Sequence, residues 1–419
     1  MTDVPVRSTA GRVNAESSAV TDVRDDFIWG AASAAHQIEG GNVNADHWVA
    51  EHSGHSGFPH LQEPSGDACD SYHRYREDIR LLAEAGLKAY RFSIEWARIE
   101  PEPDEFSRAQ LLHYRDMIDA CHEHGVKPIV TLHHFTSPRW FAGLGGFLGE
   151  AGIARFRRYV EAVCPILTDV NWVVTINEPN MLALITRVTV PGQESQAATP
   201  PVAMATMPSP SLDFAERIAQ VHRAAVEVLR ERTNAKVGWS IAAQAFTPTP
   251  GNEEVFQRVF HQWEGAYYDA SAGDDFIGVQ SYTSQPVDAN GPVPHPEHPD
   301  NTITGWAYRP DALGLNLARV WEKYKIPILV TENGIATDDD TRRIAYTRDA
   351  LEGLKEAVAG GAEVLGYCHW TLLDNYEWGS YAPTFGLIAV DRAGDFTRTP
   401  KPSLSWLGRV AASNGQDLD

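Results

Sequence analysis

Two glutamates stand where short apolar runs end. Ile328-Leu329-Val330-Thr331 leads into Glu332-Asn333-Gly334, and Trp172-Val173-Val174-Thr175-Ile176 leads into Asn177-Glu178-Pro179. Both runs have the length and β-branched composition of a buried strand. In a parallel α/β barrel the C-terminal strand ends carry the chemistry, so two carboxyls placed this way would face one pocket. Hydrolysis of a glycosidic bond calls for such a pair, one protonated and one ionised, flanking the scissile bond. Identical groups must then differ in pKa through their surroundings. Arg91, at the end of another apolar run, is placed to stand beside Glu332 and hold it ionised. Glu178 would keep the proton, its pKa raised by the neighbouring negative charge. A lone glutamate is ordinarily a solvated surface charge, but one that terminates a buried strand is poorly explained that way.

A neutral polar substrate also needs hydrogen-bond partners. Gln37, His134, Asn177 and Glu377 all fall at strand ends or in the loops that follow. Taken singly, each can be an ordinary loop residue. Trp370 and Trp378 bracket Leu372-Leu373-Asp374-Asn375-Tyr376-Glu377, where either indole can floor a sugar site or simply pack the barrel mouth. His47, His52, His55 and His60 crowd residues 41–66. Their spacing fits no common metal site and no cysteine lies near, so the stretch reads as a solvated loop at the mouth of the site, without metal.

These groups need a scaffold. The first strand is expected at Phe27–Ala32, followed by a helix over Asp70–Gly86. Strands at Lys88–Ile94, Pro128–Leu132 and Trp172–Ile176 alternate with helices at Arg108–His124 and Glu150–Leu167. A helix at Asp213–Arg232, strands at Lys236–Ile241 and Phe276–Val279, and a helix at Pro310–Tyr324 come next. The strand ending at Glu332, a helix at Thr341–Ala359, a strand at Val364–Tyr367 and a last helix near Ser403–Ala412 complete the series. Strict β/α alternation argues for a parallel sheet covered by helices, and eight units suggest a closed (β/α)8 barrel in one domain, 26–412. An open doubly wound sheet is the competing architecture, but no GxGxxG follows the first strand and no cofactor is implied. Residues 1–25 read as a flexible arm and 413–419 as a tail. The Pro-rich stretches 187–212 and 284–309 read as long loops on the catalytic side.

Composition bounds the partners. The chain has 419 residues, 35 basic against 56 acidic, for a net charge of −21. Such a surface disfavours nucleic acid and anionic membranes but not a neutral small molecule. The first residues lack the apolar core of a secretory signal, and no run approaches the roughly 18 apolar residues of a membrane span. Four cysteines without CxxC spacing point to a reduced compartment, so a cytoplasmic location is expected. Nothing in the sequence indicates an oligomeric state.

Thr-Ile-Asn-Glu-Pro at 175–179, Thr-Glu-Asn-Gly at 331–334 and Asp-Asn-Tyr-Glu-Trp at 374–378 resemble the signatures of family 1 glycoside hydrolases, the β-glucosidase family. Phe27–Gly40 resembles that family's N-terminal motif, Tyr90-Arg91-Phe92-Ser93-Ile94 matches one of its strands, and the likeness runs from Asp26 to Leu407. The resemblance implies a (β/α)8 barrel and a retaining double displacement on a β-glycoside, with Glu332 as nucleophile and Glu178 as acid/base. The two carboxyls of a retaining enzyme stand about 5–5.5 Å apart. The resemblance also implies that Gln37, His134, Asn177, Glu377 and Trp378 bind the non-reducing sugar. Tyr282 and Arg91 would neighbour the nucleophile, and Trp370 would floor the site. A β-D-glucosidase is the leading expectation. β-Galactoside or β-fucoside cleavage, glycosyl transfer, or an inactive sugar-binding protein are the alternatives, and Glu377 speaks against a 6-phosphorylated sugar. Phe135 replaces the family's usual Trp, Gln280 its Asn and Thr384 its Arg, and the stretch 379–385 is shortened.

Overall fold

Eight buried runs pair side by side, all parallel, and close on themselves. The computed structural model describes residues 23–53, 63–189 and 209–419. The strands are β1 (Ile28–Ala32), β2 (Ala89–Ser93), β3 (Lys127–Thr131), β4 (Trp172–Asn177), β5 (Lys236–Ala243), β6 (Ile277–Ser281), β7 (Ile328–Asn333) and β8 (Val364–Trp370). Each pairs with its neighbours in sequence, and β1 returns to β8 with Ile28 opposite Gly366 and Ala32 opposite Trp370. Apart from Lys127 and Lys236, which open β3 and β5, every strand residue is buried. Burial on both faces is why these runs are continuously apolar rather than alternating. The architecture is the expected (β/α)8 barrel.

The covering helices Ser71–Glu84, Arg108–Glu123, Gly152–Val163, Leu212–Arg232, Ala312–Tyr324, Asp340–Ala359 and Pro402–Ala412 fall where periodicity placed them. Several start on side-chain caps that satisfy orphan amides. Ser107 accepts from the Gln110 amide at 3.3 Å, and Asp339 accepts from the Thr341 amide at 2.9 Å.

The differences lie between the strands. A helical stretch that periodicity did not reveal fills the span after β5: Glu253–Phe260, a π-turn His261–Gly265, then Ala266–Ala270. The wider π-turn breaks the 3.6-residue register of its aromatic residues, which hides the pattern in sequence. A second helix, Pro179–Thr189, directly follows β4 and takes the start of the expected 187–212 loop. Residues 190–208 of that loop lie outside the described residues. Within 41–66, residues Asp46–His52 form a helix rather than a loop, and His47 is buried rather than solvated. His55 and His60 lie outside the described residues. Packing begins before Asp26, since Val23 is buried and the Arg24 carbonyl accepts from Asn414 Nδ2 at 3.1 Å. It also continues past Ala412, because Trp29 Nε1 donates to Asn414 Oδ1 at 3.0 Å. Of the expected arm, 1–25, residues 1–22 lie outside the described residues.

Among the described residues no helix is long and apolar enough to cross a membrane. The four cysteines are buried free thiols.

At the N-terminal end of the barrel the last helix crosses the end of Ser71–Glu84 backbone to backbone. A Cβ on Gly408 would meet the Ala85 carbonyl oxygen at 1.7 Å. Gly408→Ala should therefore cost about 1–3 kcal/mol of stability by overpacking. Urea unfolding should show a lower midpoint with an unchanged slope, while kcat of the folded variant at 25 °C stays at the parent value.

Candidate active site

Arg91 ends up inside the barrel, fully buried, with its two terminal nitrogens aimed at two different strand ends. Nη1 donates to Glu332 Oε1 at 2.5 Å and Nη2 donates to Asn177 Oδ1 at 2.5 Å. Gln280 closes the ring from β6: its Nε2 donates to Glu332 Oε1 at 2.7 Å and to Asn177 Oδ1 at 2.8 Å. Tyr282, just past β6, donates its hydroxyl to the other Glu332 oxygen, Oε2, at 2.5 Å. The Glu332 carboxylate thus faces a guanidinium, an amide and a phenol, an arrangement that compensates a buried negative charge.

The end of β7 is braced on both sides. Asn333 Nδ2 donates to the Ser281 carbonyl at 2.6 Å and Asn333 Oδ1 accepts from the Tyr367 hydroxyl at 2.9 Å. A Cβ on Gly334 would stand 2.0 Å from the Trp370 carbonyl oxygen, so only glycine lets this turn lie against the end of β8.

Glu178 follows β4 directly. Its amide donates to the Ser240 carbonyl at 2.7 Å, and its carbonyl accepts from Met181 and Leu182 as the helix begins. Pro179 in the first turn fits that abrupt start. Burial is the largest influence pushing the Glu178 carboxyl well above its usual pKa, and the Glu332 charge is second. The sequence reading credited the neighbouring charge alone. Burial raises Glu332 too, with Arg91 and Tyr282 opposing it, whereas Glu178 is pushed well above its ordinary range. Tyr282, raised by burial and by the Glu332 charge, remains a phenol and a donor.

The other sequence-predicted residues gather around this pair. His134 follows β3, with Asn177 Nδ2 and His134 Nε2 at 3.3 Å. Burial and Arg91 hold the His134 imidazole well below its usual pKa, so it is neutral. Gln37 follows β1 and donates to the Tyr376 carbonyl at 2.8 Å. Trp370 ends β8, and its indole donates to Glu377 Oε1 at 3.2 Å. Trp378 stacks on His134, with ring centres 6.2 Å apart and planes 13° apart. The buried atoms Gln37 Oε1 and His134 Nδ1 have no partner among the described residues. Buried polar atoms left open in this way suit a hydroxylated ligand. Phe135, Glu178 and Trp378 all adopt left-handed backbone, at φ +66°, +42° and +49°. Such positions cost about 1–3 kcal/mol each and cluster at working sites.

Gln280 is the residue that motif reading undervalued. It was visible only as a departure from the family pattern, yet it bridges Glu332 and Asn177. Its place at the end of an apolar strand, two residues before Tyr282, was the available signal. Among the described residues no His/Cys/Asp/Glu group could hold a metal ion.

A closed barrel with two carboxyls at its strand ends, one gripped by an arginine and the other raised by the charge of the first, fits a glycoside hydrolase. Comparison with known proteins narrows the class. The family profile described as Glycosyl hydrolase family 1 matches residues 20–276 and 271–416, and the chain belongs to that family. A solved β-glucosidase, 1317, is 41% identical over 92% of this chain and 98% of its own, with a TM-score of 0.83. The aryl-phospho-β-D-glucosidase BglA of Bacillus subtilis is 30% identical over 94% of this chain and 99% of its own. The thermostable β-glucosidase B of Thermobispora bispora is also 30% identical, over 93% of this chain and 91% of its own.

The proton placement has a measurable consequence. A general acid works while protonated, so kcat/KM should fall as pH rises through the Glu178 pKa. That limb should lie above the ordinary carboxyl range. Glu332→Gln removes the Glu332 charge and leaves burial and the smaller effects of Arg91 and Glu377 in place. Infrared difference titration of Glu178 should therefore show its pKa lower in this variant than in the parent. An unmoved Glu178 pKa would mean the two carboxyls are not electrically coupled.

Proposed function

We propose that this protein is a retaining β-glycosidase, in the first instance a β-D-glucosidase. The carrying observation is the asymmetry of the carboxyl pair: Glu332 is gripped by Arg91, Gln280 and Tyr282, while Glu178 is pushed toward its acid form. In this reading Glu332 attacks the anomeric carbon as Glu178 protonates the leaving oxygen. Formation of the glycosyl ester removes the charge of Glu332. The Glu178 pKa then falls, and the same group takes a proton from water in the second step. Gln37, His134, Asn177, Glu377 and Trp378 hold the sugar, with Trp370 beneath it. Residues 284–309 meet the aglycone; of the other two stretches expected to do so, 41–66 and 187–212, residues 54–62 and 190–208 lie outside the described residues.

A 6-phosphorylated sugar is a second reading, raised by the Bacillus subtilis relative, an aryl-phospho-β-D-glucosidase. Glu377 opposes it. Its carboxyl shares the mouth of the site, and the next basic residues in sequence are engaged elsewhere: Arg392 Nε donates to the Ala68 carbonyl at 3.1 Å, Arg398 pairs with Asp78 at 2.7 Å and Lys401 with Asp374 at 2.7 Å. Matched aryl glucoside and aryl 6-phosphoglucoside substrates separate the two, with higher kcat/KM expected for the unphosphorylated sugar.

The two roles are tested by substitution. Proton NMR of early product should show the β anomer. Glu332→Ala should lose turnover of every glycoside, because no covalent intermediate can form. Glu178→Ala should still form the intermediate from an aryl glycoside with an acidic leaving group, then stall. Azide needs no base and should restore that turnover, giving the β-glycosyl azide. In Glu332→Ala azide would attack from the other face and give the α product. The opposite pair of products would mean the roles are exchanged.

A further inference from the structure

Glu51 lies outside the catalytic ring, yet its carboxylate joins three segments of the mouth. Its side chain is 4% exposed. Oε1 stands 2.9 Å from His36 Nε2, and Oε2 accepts from the Ser65 amide at 3.1 Å and the Ser65 hydroxyl at 2.7 Å. His36 Nδ1 in turn lies 3.0 Å from Asn42 Nδ2, which fixes the ring. Burial holds the His36 imidazole below its usual pKa, and Glu51 stays ionised, its carboxyl lowered to about 2 despite burial, chiefly by the His36 hydrogen bond.

Both ends of this cluster grip residues already assigned to the sugar. His36 stacks on Trp378, with ring centres 5.8 Å and planes 4° apart, while His47 and Phe135 pack edge-on against the same indole at 5.0 and 5.1 Å. His36 also precedes Gln37, whose backbone and amide are both bonded to Tyr376. On the Ser65 side, Glu63 is zipped to the loop that carries Glu377 and Trp378. Its amide donates to the Gly379 carbonyl at 3.1 Å, its carbonyl accepts from the Tyr376 hydroxyl at 3.0 Å, and its side chain accepts from the Tyr381 amide at 3.0 Å.

We propose that Glu51 and His36 are positioning residues that set sugar selectivity, by fixing Gln37, Glu377 and Trp378 against the hydroxyls remote from the anomeric carbon. The proposal rests on the sugar-contact reading given under Proposed function. The carboxylate offers one oxygen to each side, so that His36 and Ser65 are bonded at once. The indole, held between rings, cannot tilt unless His36 moves. The catalytic ring of Arg91, Glu332 and Gln280 has no member in this cluster, so the two functions are separable.

The test compares aryl β-glucoside and aryl β-galactoside, which differ only at C4, in the full-length protein and its Glu51→Met and His36→Phe variants. Methionine keeps length and loses both acceptors. Phenylalanine keeps the ring against Trp378 and loses the hydrogen bonds. Glucoside KM should rise with kcat changing much less, and the glucoside-to-galactoside ratio of kcat/KM should fall by about tenfold or more, the scale of one misplaced polar contact. If Glu51→Met does not fold, His36→Phe carries the test alone. A uniform loss on both sugars with the ratio unchanged would overturn the proposal. Trp378→Phe distinguishes the failures: if it moves the ratio and the other two do not, only this proposal falls. If Trp378→Phe leaves the ratio unchanged, the sugar-contact reading fails and takes this proposal with it.

Discussion

Everything in the mouth of this barrel is arranged about one buried guanidinium. Arg91 touches Glu332 with one nitrogen and Asn177 with the other, and neither acceptor belongs to a neighbouring strand of β2. An arginine can span such a gap because its donors diverge in a rigid plane. Burying it uncompensated would cost several kcal/mol, so the carboxylate, the amide oxygen and the strands behind them are mutually required. Gln280 satisfies the same two acceptors from the far side. The asymmetry of the carboxyl pair follows: Glu332 is held by a guanidinium, an amide and a phenol, while the charge of Glu332 is among the influences that raise Glu178.

The parts of the fold that were legible in sequence are those whose physics is local. A strand buried on both faces announces itself as an unbroken apolar run, and a glutamate at its end stands out against it. Glu178 and Glu332, and Arg91 beside the latter, could therefore be placed without coordinates. The helices Glu253–Phe260 and Asp46–His52 could not. The first is continued by a π-turn that shifts its aromatic register, and the second is a short segment whose burial depends on Trp378, more than three hundred residues away in sequence. His47 looked like part of a solvated histidine cluster for the same reason: its ring neighbours are His36, after β1, and Trp378, in the loop after β8. Gln280 was visible only as an anomaly, because its importance lies in reaching two acceptors at once and not in its type.

Three non-glycine residues in left-handed backbone, Phe135, Glu178 and Trp378, surround the proposed sugar site. Each follows a strand directly or sits in the loop after one, where the chain must turn sharply to leave its side chain over the pocket. The stacked rings of His36, Trp378 and His134 then hold the resulting wall, and the hydrogen bonds through Glu51 and Ser65 tie it to the loop opposite. Rigid packing of this kind suits a site that must present fixed dipoles to a developing charge.

The seam between β1 and β8 has a bearing on how the chain is made. β1 leaves the ribosome more than three hundred residues before β8, yet each is the other's hydrogen-bonding neighbour. Until β8 emerges, β1 presents an apolar strand edge with nothing beside it, the kind of edge on which nascent chains associate wrongly. Gln37 belongs to the segment after β1, and Trp370, Glu377 and Trp378 to β8 and the loop after it, so the same closure assembles the pocket. Partly made chains should thus need shielding in the cell, and should have no sugar site to fill until β8 and the loop after it are translated.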